Sequence, residues 1–145
     1  MILEPATDED FQCLLRQEVF VRSFSVAPQL ASPEVLEIVR QLPANWLMIS
    51  NGELAGIIGL KTQDSLEQVE IGYGVAASRW SRGLAAAAVA ALLPILKARG
   101  IQIVRAETSV ENPASQKVLE RNAFVRTGER VDEEDGPLIL WQRSL

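Results

Sequence analysis

The sequence predicts a mixed α/β domain, and three observations carry that reading. Segments with helical spacing alternate with strand-like segments along the chain. Asn51-Gly52 is a strong tight-hairpin signal, because both residues tolerate positive φ. Residues 66–75 alternate in polarity with period two. The chain has 145 residues, a length that can bury a real core without disulfide or metal staples. No repeat, linker or low-complexity run divides it, so one domain over 1–145 is expected.

Ile2 to Glu4 reads as a first strand. Thr7 is an N-cap, and Asp8, Glu9 and Asp10 suit the positive end of a helix whose Phe11, Leu14, Leu15 and Val19 share a face. Ser32-Pro33-Glu34 starts a second helix, which ends before Pro43. Trp46 to Ser50 and Glu53 to about Thr62 are strands joined by the Asn51-Gly52 turn. In the next strand, about Leu66 to Val75, Val69, Ile71, Tyr73 and Val75 face one way, and Gln68, Glu70, Gly72 and Gly74 face the other. A helix follows from about Gly83 to Arg99, stopped by Gly100 and disturbed at Pro94. Ile101 to Thr108 is a strand, and Asn112 caps a short helix over Pro113 to Arg121. Phe124 to Val131 and Leu138 to Gln142 are closing strands, joined across Asp132-Glu133-Glu134-Asp135-Gly136. The predicted order is βαα-βββ-αβ-αβ-β.

Composition removes several function classes. There is no histidine, which excludes imidazole bases and histidine metal sites, and Cys13 alone cannot form an internal disulfide. A net charge of −5 argues against a general nucleic-acid binder. The N-terminus has no signal-peptide pattern, and the most apolar stretch, Leu84 to Leu96, is short for a membrane span. A cytoplasmic protein is expected.

The chemistry concentrates in two segments. The first is Glu70-Ile71-Gly72-Tyr73-Gly74-Val75, followed by the turn Trp80-Ser81-Arg82-Gly83-Leu84-Ala85. Here a strand ends and a helix begins at a glycine. Free N–H groups and the helix dipole make such a start an anion site, and Arg82 adds a full charge. Neither a nucleotide P-loop ending nor a dinucleotide-binding glycine fingerprint is present. The second segment runs from Glu107 through Asn112 and Ser115 to Ala123-Phe124. Helix capping alone would account for Asn112.

Together these segments resemble the GNAT superfamily of acetyl-CoA-dependent N-acetyltransferases, and most closely its RimJ/RimL-like branch of ribosomal-protein N-terminal acetyltransferases. The matching residues are Glu70 to Tyr73, Trp80 to Ala85 and Asn112 to Phe124. Ser81 and Ala123 depart from the pattern, each standing where the branch has glycine. The resemblance implies a twisted, mostly antiparallel sheet of six to seven strands, with the fourth and fifth splayed apart and about four flanking helices. It implies acetyl-CoA as co-substrate, no metal, and acetyl transfer to a primary amine on a protein N-terminus or a small molecule. The pantetheine arm would pair with Tyr73, Gly74 and Val75, and the pyrophosphate would sit on Ser81, Arg82, Gly83, Leu84, Ala85 and Ala86. Asn112 would bond the arm, and Ser115 would lie near the sulfur.

Attack of a neutral amine on a thioester requires a base and stabilisation of the leaving thiolate. Glu70 and Glu107 are the candidate bases; each is equally well read as a salt-bridged strand carboxylate, with Arg105 or Arg126 as partner. Many family members place an acidic tyrosine where this chain has Leu119, so Ser115 is the substitute by resemblance. Strand packing is the readier account of the Tyr73 side chain. Phe20, Phe24 and Trp46 either line the acceptor pocket or belong to the core. A non-catalytic acyl-CoA-binding or regulatory module is the alternative function, and a dimer through the C-terminal strands is left open.

Overall fold

A computed structural model describes residues 1–145. Seven strands form the main sheet: β1 (Ile2–Pro5), β4 (Ala44–Ser50), β5 (Glu53–Gln63), β6 (Gln68–Val75), β7 (Ile103–Ser109), β8 (Val125–Asp132) and β9 (Gly136–Ser144), in the spatial order β1-β4-β5-β6-β7-β9-β8. All neighbours on this path are antiparallel except β6 and β7. The helices are α1 (Asp8–Leu15), α2 (Pro33–Val39), α3 (Leu84–Ala98) and α4 (Pro113–Arg121). Asn51 and Gly52 take φ of 51° and 76°, the left-handed pair that a two-residue hairpin requires.

The sequence missed one feature. Between α1 and α2, where the sequence reading places no strand, lies a small hairpin, β2 (Phe20–Val21) and β3 (Phe24–Val26). β3 runs parallel to the start of β5, pairing Ser25 with Glu53 and Val26 with Leu54. β6 pairs with β5 only from Gly56 onward, so β3 lies end to end with β6 along one edge of β5. Strands this short carry no legible periodicity; the pairing comes from an edge of β5 that β6 leaves open.

Two apolar cores sit on opposite faces. On one face, Val89, Leu92 and Leu96 of α3 and Leu119 of α4 pack on Ile58, Leu60, Val69, Ile71, Val104 and Trp141. On the other, Phe11, Leu14 and Leu36 of α1 and α2 cover Leu47, Ile49, Leu54 and Ile57. Trp141 also donates to Thr108 Oγ1 at 2.8 Å, tying β9 to β7 inside the core.

Local rules explain the helix ends. Thr7 and Asp10 form a reciprocal capping box on α1. Asp10 is also the buried partner of Arg22, with Oδ2 at 2.8 Å from Nη2. Burial raises its pKa, but the hydrogen bonds from Arg22 and Thr7 outweigh burial and hold it below the usual aspartate value. Both α3 and α4 end in the double-bonded left-handed turn typical of helix C-termini. In α3, Gly100 N–H donates to Lys97 and Ile101 N–H to Leu96. In α4, Ala123 N–H donates to Glu120 and Phe124 N–H to Leu119, with Ala123 at φ 61°. Ser81 likewise sits at φ 64°. The two departures from the family's glycines are therefore both non-glycine residues held in the left-handed region.

Two outcomes follow. Ser81→Gly and Ala123→Gly should each raise stability by up to about 1 kcal/mol by relieving that conformation, read as a higher denaturant midpoint. Because the folded pKa of Asp10 is depressed, the Asp10–Arg22 contribution is complete above the ordinary aspartate range and is lost as pH falls through the folded value. Asp10→Asn should cost about 1–2 kcal/mol at neutral pH and make unfolding less steep in acid, read by denaturant titration across pH.

Candidate active site

The site begins where β6 and β7 part. They pair only through Gln68–Ile103, Val69–Val104 and Glu70–Arg105. Beyond that point β6 stays with β5, and β7 stays with β9 along its full length. Ile71 to Val75 therefore have no strand neighbour on the β7 side.

Which backbone groups face this gap follows from alternation. Ala76 N–H donates to Ala55 C=O at 2.8 Å, so position 76, and by period two position 74, are turned toward β5. The backbone groups of Tyr73 and Val75 then point into the gap. Trp80 supports this: its indole N–H reaches Val75 C=O at 2.9 Å from the open side. Gly74, expected to pair with a ligand through its own backbone, instead contributes a bare surface, since a Cβ built there would meet nothing within 4 Å.

At the end of the gap lies the N-terminus of α3. Thr7, Ser32 and Asn112 cap α1, α2 and α4 with side-chain acceptors. The α3 cap residue is Gly83, at φ 72° and with no side chain to offer. Leu84, Ala85 and Ala86 thus present N–H groups that the helix itself cannot satisfy. A cap is worth about 1 kcal/mol, so α3 forgoes stability that the other three helices take.

A cleft of about 610 Å³ joins the gap to this helix end, lined by Tyr73 to Val75, Arg79 to Ala86 and the α4 face from Asn112 to Arg121. Every residue expected to bind the coenzyme lines it. The sequence reading missed Trp80, Lys117 and Arg121. The lysine and arginine sit four apart, the spacing that puts two side chains on one helix face, and that signal was available. The cations in the cleft are not equivalent. Arg79 is committed to Glu53 at 2.7 Å, and its hydrogen bond holds the Glu53 carboxyl below the ordinary range. Arg82, Lys117 and Arg121 make no ion pair.

Asn122 fixes the two helical walls. Its buried amide donates to Ala86 C=O in the first turn of α3 and to Val118 C=O in α4. At the other end of α4, Asn112 Oδ1 accepts from Ser115 N–H at 3.1 Å, leaving the Asn112 NH₂ to face the cleft. Ser115 Oγ lies 2.8 Å from the Tyr73 phenol oxygen, and Ser115 C=O lies 3.3 Å from it. The Tyr73 side chain therefore does more than pack: it bridges β6 to α4 across the helical side of the gap. Burial pushes its pKa up, only partly offset by the bond to Ser115.

The two glutamates lie elsewhere. Glu70 and Glu107 alternate with the core residues Val69, Ile71, Ala106 and Thr108, so both project from the opposite face of the sheet and neither lines the cleft. Both are ion-paired, but not to the expected partners. Lys61 reaches Glu70 at 3.2 Å, and Arg130 holds Glu107 at 2.6 and 3.2 Å. Arg105 pairs with Asp64, and Arg126 reaches Glu120 and Gln116. Glu70 sits at the last β6–β7 pair, where the gap opens. Sequence spacing cannot supply these partners, because they come from strands that neighbour only in the folded sheet.

One acceptor-side expectation is corrected. Trp46 is 2% exposed inside the main core, beneath the Arg99 guanidinium, and cannot contact a substrate. Phe24 packs partly into the second core, whereas Phe20 is 59% exposed on β2. Residues following β3 are strapped to the turn that follows β6. Gln29 C=O accepts from Ala77 N–H at 3.0 Å, and Pro28 C=O accepts from the Ser78 hydroxyl. No helix is long and apolar enough to cross a membrane.

The fold recurs in solved structures. RimL, described as a ribosomal L7/L12 alpha-N-protein acetyltransferase in complex with coenzyme A, is 21% identical with TM-score 0.75, covering 99% of this chain and 93% of its own. A GNAT-family acetyltransferase from Streptococcus pneumoniae is 17% identical with TM-score 0.72, covering 99% and 98%. The aminoglycoside acetyltransferase AAC(6')-Ib in complex with coenzyme A and kanamycin is 18% identical with TM-score 0.71, covering 98% and 93%. No curated protein sequence matches this chain. The family model for the acetyltransferase (GNAT) domain matches residues 1–125, and with the splayed strands and the uncapped helix in place, the chain belongs to the GNAT acetyltransferase family.

Proposed function

We propose that this protein is an acetyl-CoA-dependent N-acetyltransferase that acts on a primary amine by direct attack in a ternary complex. The observation that carries the proposal is the α3 N-terminus, the one α-helix start with no side-chain cap, opening onto a cleft with three unpaired cations. A ligand bearing phosphates and an extended amide arm matches both halves of the site. Its pyrophosphate would take the N–H groups of Leu84, Ala85 and Ala86 beside Arg82, and its arm would take the backbone N–H and C=O of Tyr73 and the N–H of Val75. Lys117 and Arg121 suit further phosphate charge.

The amine would approach from the opposite face. Beyond Glu70, the β6 surface there is Gly72, over which the Lys61 stem lies, and then Gly74, which is open to the gap. We assign the base to Glu70, directly or through a water. Its carboxylate has a single contact from the half-exposed Lys61, whereas Arg130 holds both oxygens of Glu107. A carboxylate with a free oxygen can accept the ammonium proton; one gripped at both is spent on tying β8 to β7. Ser115 would donate a hydrogen bond to the sulfur as it leaves. The acceptor is a protein N-terminus or a small amine.

Calorimetric titration tests the coenzyme assignment. Acetyl-CoA should bind saturably, while ATP and NAD should not. Gly83→Glu meets no clash, costs about 1 kcal/mol of strain at its positive φ, and puts a carboxylate in the pyrophosphate position, so the variant should fold less stably and lose about a hundredfold or more in affinity. Tight binding by that variant would rule out the pyrophosphate site. Thiol release from acetyl-CoA, measured with a short free-N-terminus peptide, spermidine and kanamycin, tests the transfer. In the acceptor that reacts, Glu70→Gln should lower turnover by about a hundredfold with acetyl-CoA binding intact, and Glu107→Gln by less than about tenfold. The reverse ranking would move the base to Glu107.

A further inference from the structure

We infer that Tyr73 is a positioning residue for the leaving group: its phenol donates to Ser115 Oγ and so turns the Ser115 hydroxyl hydrogen toward the coenzyme sulfur. The inference rests on the coenzyme reading above and adds a second residue to its chemistry.

The geometry restricts where the phenol hydrogen points. Tyr73 Oη has two neighbours in hydrogen-bond range, Ser115 Oγ at 2.8 Å and Ser115 C=O at 3.3 Å. The phenol carries one hydrogen, for which Oγ and the carbonyl compete; Oγ is the nearer, and a phenol is both the stronger donor and the weaker acceptor of two hydroxyls, so the hydrogen goes to Oγ. A hydroxyl that already accepts from a phenol has its own hydrogen free for another acceptor. Ser115 is otherwise well anchored: it lies in the first turn of α4, and its N–H is bound to Asn112 Oδ1. The open direction is the cleft, which both Tyr73 and Ser115 line. Leu119, fully buried in the core, leaves α4 without a phenol of its own. Tyr73 is the only tyrosine in the chain.

The step balances without a further reactant. The amine nitrogen attacks the thioester carbon, and its proton passes to the base. When the adduct collapses, the carbonyl re-forms, the C–S bond breaks and its electron pair stays on sulfur. Ser115 keeps its proton and holds the thiolate charge by hydrogen bonding. The proton lost at nitrogen equals the one the thiolate later takes from solvent. Burial keeps the phenol protonated over the working pH range, so Tyr73 remains a donor throughout.

The binary complex with coenzyme A tests this without knowledge of the acceptor. The thiol is titrated by its ultraviolet thiolate absorbance, as the difference between the complex and its separate components, which removes the signal of Cys13. In the wild type the bound thiol should titrate about one unit or more below free coenzyme A, the size expected of a hydrogen bond to a charged group. Tyr73→Phe keeps the ring that packs on the core and the backbone that faces the gap, and when saturated with coenzyme A should return the thiol to its free value. Ser115→Ala should do the same, and the double variant should shift it no further. If Ser115 instead spends its hydrogen on the phenol, Tyr73→Phe leaves the thiol unmoved or depresses it more; either result overturns the inference. A purely packing role would change thermal stability but not the thiol. Failure of the wild type to bind coenzyme A would overturn the coenzyme reading and this inference together, whereas binding with no Tyr73→Phe effect would overturn this inference alone.

Discussion

Three pairs of parallel strand contact, ending at Glu70 and Arg105, set the terms for the rest of the molecule. Backbone N–H and C=O groups inside a protein must find partners, and a sheet normally supplies them from the next strand. Here β6 remains bound to β5 and β7 to β9, so the two halves of the sheet twist away from each other. The N–H and C=O of Tyr73 and the N–H of Val75 are left at a place that solvent or an extended ligand can reach, while Trp80 takes the Val75 C=O. A fully zipped sheet would be more stable at this seam and would have no site.

The elements around the seam are placed so that the gap stays open yet bounded. α4 begins just past β7 and lies against α3, with Asn122 bonded to both helices. The α3 dipole points its positive end at the seam, and an acceptor that a capping side chain would supply is absent. Left-handed backbone at Ser81 and Gly83, costly at the serine and free at the glycine, brings the chain into that helix start. On the other face, charge is organised differently. Lys61, Arg105 and Arg130 each pair with a carboxylate, so this surface is balanced rather than strongly attracting either sign. The two faces thus differ in character, with free N–H groups and unpaired cations at the helices, and paired charges beside the open Gly74 on the other.

The Tyr73–Ser115 contact links these two descriptions. It runs from the strand that forms one wall of the gap to the helix that forms the other. It also shows why a residue type can be read correctly while its use is missed. Tyr73 alternates with Ile71 and Val75 toward the core, as period two demands, and its ring does pack there. Its hydroxyl extends past that packing to a residue on α4. Alternation specifies a face of the sheet, not what the far end of a long side chain meets.

Local physics made much of this protein legible from its sequence. Caps at Thr7, Ser32 and Asn112, the Asn51-Gly52 turn, the glycine stop at Gly100 and the alternation in β6 all rest on residues close together in the chain, and each appears where those residues place it. The glycine start of α3 with Arg82 before it was legible for the same reason. Tertiary structure alone decided the rest. It put Trp46 in the core, chose Lys61 and Arg130 rather than Arg105 and Arg126 as the glutamates' partners, and docked the β2–β3 hairpin on a free edge of β5. It also decided that β6 and β7 part after Glu70. These outcomes depend on which strands become neighbours, and that is fixed by how two cores close on opposite faces of one sheet, not by any short stretch of residues.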